Sequence, residues 1–274
     1  MFFNKNLKPL LIVFLFLPSV FLSPYVHCNE QIGISLNLVH FDYEEFSDSN
    51  SSLNTENGFI PGINFSASTE TSLVKHKIDT GFYSGEIPYE GQTQSGKSHS
   101  TNTEEDFFRV SYKAMWSPRN LQMAFYGQIS WQNWDRNITP NNNVLGLFER
   151  YRWWEYEVGL SAPLLETNTS KWLWRIGISR TDNASIMINL APNGFGKPKL
   201  DLGSKFGFSG AIEYSYQLSE QNGINIKLQH HYWEFGKSNS KMISSHTSTI
   251  SIHEPRSISK HTEISLSYTF TFKG

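Results

Sequence analysis

The sequence predicts an all-β protein: a closed antiparallel up-and-down transmembrane β-barrel of about ten strands, with eight to twelve compatible with the pattern. Three observations carry this expectation. Apolar and polar residues alternate with period two in segment after segment, and no stretch beyond residue 28 shows the 3.6-residue period of an amphipathic helix. Aromatic residues make up 15% of a chain that is only 38% hydrophobic. The connections between alternating segments are short and long in turn. A charged fraction of 18% and a single Cys exclude a disulfide scaffold, a coiled coil and an acidic disordered tail. Only one apolar run approaches spanning length, which excludes a helical membrane protein.

That run comes first. Lys5 and Lys8 precede Leu10–Leu17, and Val20-Phe21-Leu22 continues it after Pro18. A positive start, an apolar middle of this length and a polar boundary make residues 1–28 a signal peptide, cleaved near Cys28/Asn29. An uncleaved anchor and a lipoprotein acylated on Cys28 are the competing readings. The run is short and broken by proline, and Tyr25-Val26-His27 is a poor acylation signal. Cleavage removes two lysines and no acid. It leaves 21 bases against 25 acids, a net charge of −4. This is too small a charge to imply a nucleic-acid partner, and a mature chain without Cys suits an exported protein that needs no bridges.

Residues 29–274 form the predicted barrel domain. Segments 32–46, 59–68, 72–84 and 106–116 come first, and 72–84 alternates weakly. The clearest strand follows, Leu121–Gln132, with large apolar residues at most odd positions and Gln122, Gln128, Ser130 and Gln132 between them. Segments 148–160 and 171–179 come next, the second weak. Phe206–Leu218, Ile224–Tyr232 and Ile264–Phe272 alternate strongly. Segments of 9–15 residues exceed the usual globular strand and suffice to cross a bilayer when tilted. The tight connections are Thr69–Thr71, Ser117–Asn120 and Ser219–Gly223, with 162–170 somewhat longer. The long ones are about 47–58, 85–105, 135–147, 180–203 and 237–256. Tight turns on one side and long loops on the other are the habit of an outer-membrane barrel. Trp116, Trp131, Trp134, Trp153, Trp154, Trp172, Trp174, Tyr268, Phe270 and Phe272 lie near strand ends, where aromatic girdles sit at the headgroup level. The alternative is that they fill the core of a soluble β-protein. Against it stands the polar partner face of every strong strand.

With its export signal, about ten alternating strands and the terminal Tyr268-Thr269-Phe270-Thr271-Phe272 strand, the chain resembles bacterial outer-membrane β-barrel proteins of the porin-like superfamily. Phe41–Phe46, Pro88–Gly96 and Glu254–Ser257 look like segments of uncharacterised barrels of this kind. The resemblance covers the whole mature chain. It implies a place in the outer membrane of a Gram-negative cell, contact with membrane lipid and lipopolysaccharide, and recognition of the last strand by the barrel-assembly machinery. In the family that strand usually ends on an aromatic residue. Here Phe272 is followed by Lys273 and Gly274. No cofactor is expected, and the oligomeric state stays open.

If the apolar face meets lipid, the other faces the lumen. The ionisable inward candidates are Lys75, Lys77, Asp79, Arg109, Lys113, Glu155, Glu157, Arg175, Glu213, Lys227, His231, His261 and Glu263. The last five strands carry Glu155/Glu157, Arg175, Glu213, Lys227 and Glu263 in alternating sign. Neighbouring strands lie about 4.8 Å apart, so these chains can pair across each seam and offset their desolvation. Such a ring leaves little bore in a ten-stranded barrel. The leading expectation is therefore a plugged barrel acting through its external loops in surface interaction or envelope integrity, with no catalysis. A narrow solute channel is the second reading. The third is a hydrolase of the omptin type, also ten-stranded, for which Asp42, Glu44, Glu45, His231, Glu234 and Glu254 are raw material without a motif. No metal is expected. His230 and His231 are adjacent on a strand and face opposite sides, so they cannot share one ion.

Overall fold

The computed structural model describes residues 29–92, 96–141, 144–245 and 247–272. The predicted signal peptide, residues 1–28, lies outside the described residues, as do Lys273 and Gly274. The strands are β1 (Asn29–Phe46), β2 (Ser52–Glu70), β3 (Val74–Gln92), β4 (Ser98–Trp116), β5 (Ala124–Ile138), β6 (Leu147–Glu166), β7 (Ser170–Asn189), β8 (Lys199–Asp201), β9 (Phe206–Gln217), β10 (Asn222–Phe235), β11 (Lys241–Ser244), β12 (Thr249–Ile252) and β13 (Arg256–Phe272). Ten of them close a ring: β1 to β7 in order, then β9, β10 and β13, which pairs back with β1. Every pairing in the ring is antiparallel. β8 adds to the far end of β7, and β11 and β12 form a separate hairpin.

Both weakly alternating segments are barrel strands, β3 and β7. The strands run well past the expected ends. β2, β3 and β4 have 19 residues each, and β6 and β7 have 20. A bilayer crossing takes about 9–11 tilted residues, so roughly half of each long strand lies beyond the apolar zone. Much of what the sequence presents as loop, including 52–58, 85–92 and 98–105, belongs to these extensions. These stretches carry polar residues on the solvent side and mixed residues inside, so they lack the simple greasy-out signature.

The extensions keep the same register and reverse the polarity of the two faces. In β1, Ile32, Ile34, Leu36 and Leu38 point outward near the tight-turn end, and Leu36 keeps 65% of its surface exposed. Gln31, Ser35 and Asn37 point inward at that level. From Val39 onward the inward residues are Val39, Phe41 and Tyr43, all buried, and the outward ones are His40, Asp42 and Glu44. β5 repeats the pattern. Phe125, Ile129 and Trp131 face out below, with Gln128, Ser130 and Gln132 inside; above, Asn133 and Asp135 face out while Trp134 lies inside. β6 does the same in reverse order: Trp154, Tyr156 and Val158 face out, then Arg152 and Arg150, with Tyr151 and Trp153 inside. Apolar side chains belong outward where the surroundings are hydrocarbon and inward where they are water. The outward apolar zone continues around the wall, with Ile178 63%, Phe206 67% and Leu228 52% exposed. A contiguous belt of that extent far exceeds what a soluble monomer exposes.

At the loop end the reversal builds an internal core from Phe41, Tyr43, Trp134, Tyr151, Trp153, Trp233 and Phe235, each 1% exposed or less. Leu200 and Leu202, from β8 and the chain after it, pack against this core. So does Ile252 of β12, and Lys241 of β11 donates to the carbonyl of Lys199 at 3.2 Å. Near the rim, Lys237 Nζ reaches Asp48 at 2.7 Å.

Candidate functional site

The lumen has two layers of opposite character. At the tight-turn end it is a polar well of about 980 Å³ with lysine, arginine and carboxylate walls. Inward positions on β3, β4, β6, β7, β9 and β10 supply Lys77 and Asp79, Lys113, Glu157, Arg175, Glu213 and Lys227. Lys77 pairs with Asp79 at 2.8 Å, Arg175 with Glu213 at 3.5 Å, and Lys227 with Glu263 at 2.8 Å. The Lys113 ammonium sits 4.8 Å from the centre of the Tyr126 ring. Arg109 donates to Tyr83 Oη at 3.3 Å, and Tyr83 donates to Glu263 at 2.8 Å.

The expected ring of alternating sign thus forms in two of its seams, Arg175–Glu213 and Lys227–Glu263. It does not run on to Glu155 and Glu157. Arg175 stands opposite Ser161, four residues nearer the tight turns than Glu157 on the same strand. Those two glutamates instead meet His231 across the lumen. His231 Nε2 lies 2.7 Å from Glu155 Oε1, and Gln132 donates to Glu155 at 2.5 Å. Tyr126 and Ser209 donate to Glu157 at 2.5 and 2.8 Å.

Above this floor the lumen is shut. Trp134 stacks on Tyr151 with ring centres 4.4 Å apart and on Phe107 at 5.3 Å, and Phe41 meets it edge-on at 5.6 Å. Its indole N–H donates to Glu105. Arg136, 1% exposed, is the hub of the next layer. It reaches Glu149 at 2.7 Å, Glu56 at 2.8 Å and Glu45 at 3.0 Å, and its guanidinium lies 4.8 Å from the Tyr43 ring centre. Tyr151 donates to Glu254 at 2.8 Å. Glu254 lies between β12 and β13, and burial pushes its carboxyl well above the usual range. The charges of Glu149 and Glu45 push the same way, against the Tyr151 hydrogen bond and Arg136. At the exposed rim, Asp48 is held below the usual range by its hydrogen bond to Lys237.

Trp116, Trp131, Trp154, Trp172, Trp174, Tyr268, Phe270 and Phe272 all occupy outward positions. Trp134 does not: it is fully buried inside the barrel, as is Trp153. The strand expected to end at Gln132 continues to Ile138, so every even residue of β5 points inward. The same continuation reveals Arg136, which the sequence reading missed along with Glu56, Glu105 and Glu149. The signal was available, because carrying the even-inward parity of Gln128–Gln132 four residues further places Arg136 in the lumen. The six acidic and histidine residues weighed for hydrolysis are dispersed. Asp42 pairs outside the wall with Lys260 at 3.7 Å, and Glu234 with Arg256 at 3.7 Å. Glu45 and Glu254 join the Arg136 layer, while His231 belongs to the floor of the well.

No family model and no curated protein sequence matches the chain. Solved structures do. The outer membrane protease OmpT from Escherichia coli is similar with a TM-score of 0.59 at 9% identity, over 89% of this chain and 97% of that one. The translocator domain of the autotransporter NalP from Neisseria meningitidis has a TM-score of 0.48 at 8% identity, over 96% and 95%. The outer membrane protein OprG from Pseudomonas aeruginosa has 0.41 at 9%, over 91% and 98%. This is the fold of outer-membrane β-barrel proteins. In such barrels the tight turns lie on the periplasmic side and the longer loops outside. A likeness at 9% identity shows the fold alone and assigns no activity.

Proposed function

We propose that the chain is an integral outer-membrane barrel, exported by a cleaved signal peptide, that does not conduct and does not catalyse. It acts through its extracellular loops in surface interaction or envelope integrity. One observation carries the reading. Trp134, Tyr151, Trp153, Trp233 and Arg136, each 1% exposed or less, fill the cross-section above the well. A solute entering from the periplasm meets packed rings and a buried ion cluster. The dispersal of the acidic and histidine residues supports the absence of catalysis. The apolar belt supports contact with outer-membrane lipid and lipopolysaccharide, and the Tyr268–Phe272 strand supports recognition by the assembly machinery.

A narrow solute channel is the second reading, favoured by the polar well, which would form the periplasmic half of a pathway. Planar-bilayer recording of the purified barrel separates the two. The plugged barrel gives no steady open-state current, while Trp134→Ala combined with Trp153→Ala, which removes two plug rings, gives measurable current. Steady current through the unmodified protein would overturn the proposal in favour of the channel.

A further inference from the structure

We infer that Glu155, Glu157 and His231 form a binding site for a single transition-metal dication of the zinc type at the floor of the periplasmic well. One ligand atom from each of the three side chains lies within 4.8 Å of the others. Bonds of about 2.0–2.2 Å to nitrogen and oxygen put the ligand atoms of a tetrahedral ion about 3.5 Å apart, so the three side chains need to draw together by about 1 Å to hold one ion. The side chains are 3%, 7% and 8% exposed. An imidazole with two carboxylates selects zinc-like ions over calcium or magnesium, which prefer all-oxygen shells.

Three further observations point to a cation. Glu157 is buried, yet its hydrogen-bond partners are the neutral hydroxyls of Tyr126 and Ser209, and among the described residues no basic side chain forms an ion pair with it. A buried carboxylate that no cation touches keeps much of its desolvation cost, with Lys113 and His231 acting on it only through space, and a dication removes that cost. Ser179, 2% exposed and directly across the ladder from Glu157, has a hydroxyl that faces Glu155 without closing a hydrogen bond to it. Its oxygen stands beside the carboxylates as a fourth donor. The outer shell is also built. Gln132 and Tyr126 hold one oxygen of each glutamate, as the partners of metal ligands do. Glycine makes room for it, since a Cβ on Gly177 would collide with Tyr126 and Glu157, and one on Gly207 would come within 2.7 Å of Ser179 Oγ.

The site opens to the well on its Glu157 side, where Glu157 and Ser209 line the cavity. The ion would also link strands that are not neighbours, β6 with β10, with β7 and β9 between them on the wall. Occupancy should therefore stiffen the whole cylinder.

The test uses the full mature barrel in detergent, stripped with chelator and titrated with Zn²⁺ alone by calorimetry, with retained ion counted by elemental analysis after desalting. One tightly held ion is expected, with a rise in unfolding temperature on loading. His231→Gln and Glu157→Gln should each weaken binding by about 100-fold, and Tyr126→Phe by about 10-fold. His253→Gln, on an exposed loop, should leave binding unchanged. Near-ultraviolet circular dichroism of each apo variant checks that it is folded. Co²⁺ in place of Zn²⁺ should give the visible absorption of a low-coordinate site, lost in the His231 variant. No retained ion in the unmodified protein overturns the inference, and so does binding that survives both the His231 and Glu157 changes. Neither result bears on conductance, so this site and the plugged-barrel reading stand or fall separately.

Discussion

The two halves of the barrel wall obey one geometric rule and two opposite chemical ones. Below Leu38 the side chains of β1 put aliphatic groups outward and amides or hydroxyls inward. Above it the same alternation puts Phe41 and Tyr43 inward and Asp42 and Glu44 outward. Nothing in the backbone marks the change, because the β1–β13 ladder runs through it without a shift. What changes is the solvent outside. In hydrocarbon the wall needs no apolar interior and can enclose a wet, charged well. In water the wall must bury its own apolar groups, and the cylinder becomes the container of a hydrophobic core.

The largest effect should come from the upper half. Arg136 neutralises a layer holding Glu45, Glu56 and Glu149, with Glu254 reaching it through Tyr151. Removing one partner of a buried ion cluster costs about 3–5 kcal/mol because the others keep their charge without compensation. Arg136→Met should show a loss of that size in denaturant unfolding of the barrel in lipid vesicles, with the belt intact. Lys77→Met, in the wet well, should lose much less, because Asp79 also lines the well and water can solvate it. Equal losses at the two sites would erase the distinction between the layers.

The next effect comes from the outer wall and runs the other way. Leu36→Arg places a charge in the apolar belt, where such changes cost roughly 2–4 kcal/mol near the bilayer midplane. Glu44→Arg, on the same face of the same strand four turns of the pleat higher, should stay within about 0.5 kcal/mol, as surface changes do. Folding yield into vesicles is the measurement. Similar yields for the two variants would place the lipid boundary elsewhere.

These contrasts also explain what the sequence could and could not convey. The strand number, the closure and the tight turns were legible because the lower half has a clean signature, as in Ile224–Leu228 and Ile264–Leu266. The upper half has the sequence pattern of loop. In 52–58 and 98–105 the outward residues are polar because they face water, and inward Glu56, Thr103 and Glu105 are polar because they serve Arg136. Polar residues on both faces erase the periodicity. Two seams of the lumen ring were legible from strand order alone. The Glu155–Glu157–His231 group was not, since it joins strands that are not neighbours and depends on how side chains cross the barrel.

The smallest effect is a slope against pH. Glu254 stands with Glu149 and Glu45 at the edge of the Arg136 layer, where burial and the two like charges favour its protonated form. An acid whose folded pKa is raised holds its proton more tightly in the folded state than in the unfolded one. Below the ordinary carboxyl range both states are protonated and the group contributes nothing. As pH climbs from that range through the raised folded value, the unfolded chain has lost the proton and the folded one retains it, so stability falls. Glu254→Gln keeps an oxygen to accept from Tyr151 and carries no charge. Relative to the unmodified barrel, it should be near neutral in acid and increasingly stabilising as pH rises through that window, read as the unfolding midpoint in denaturant at a series of pH values. A difference between the two proteins that stays flat with pH would mean that Glu254 ionises inside the folded barrel as readily as outside it, and that the upper layer carries more water than its packed rings allow.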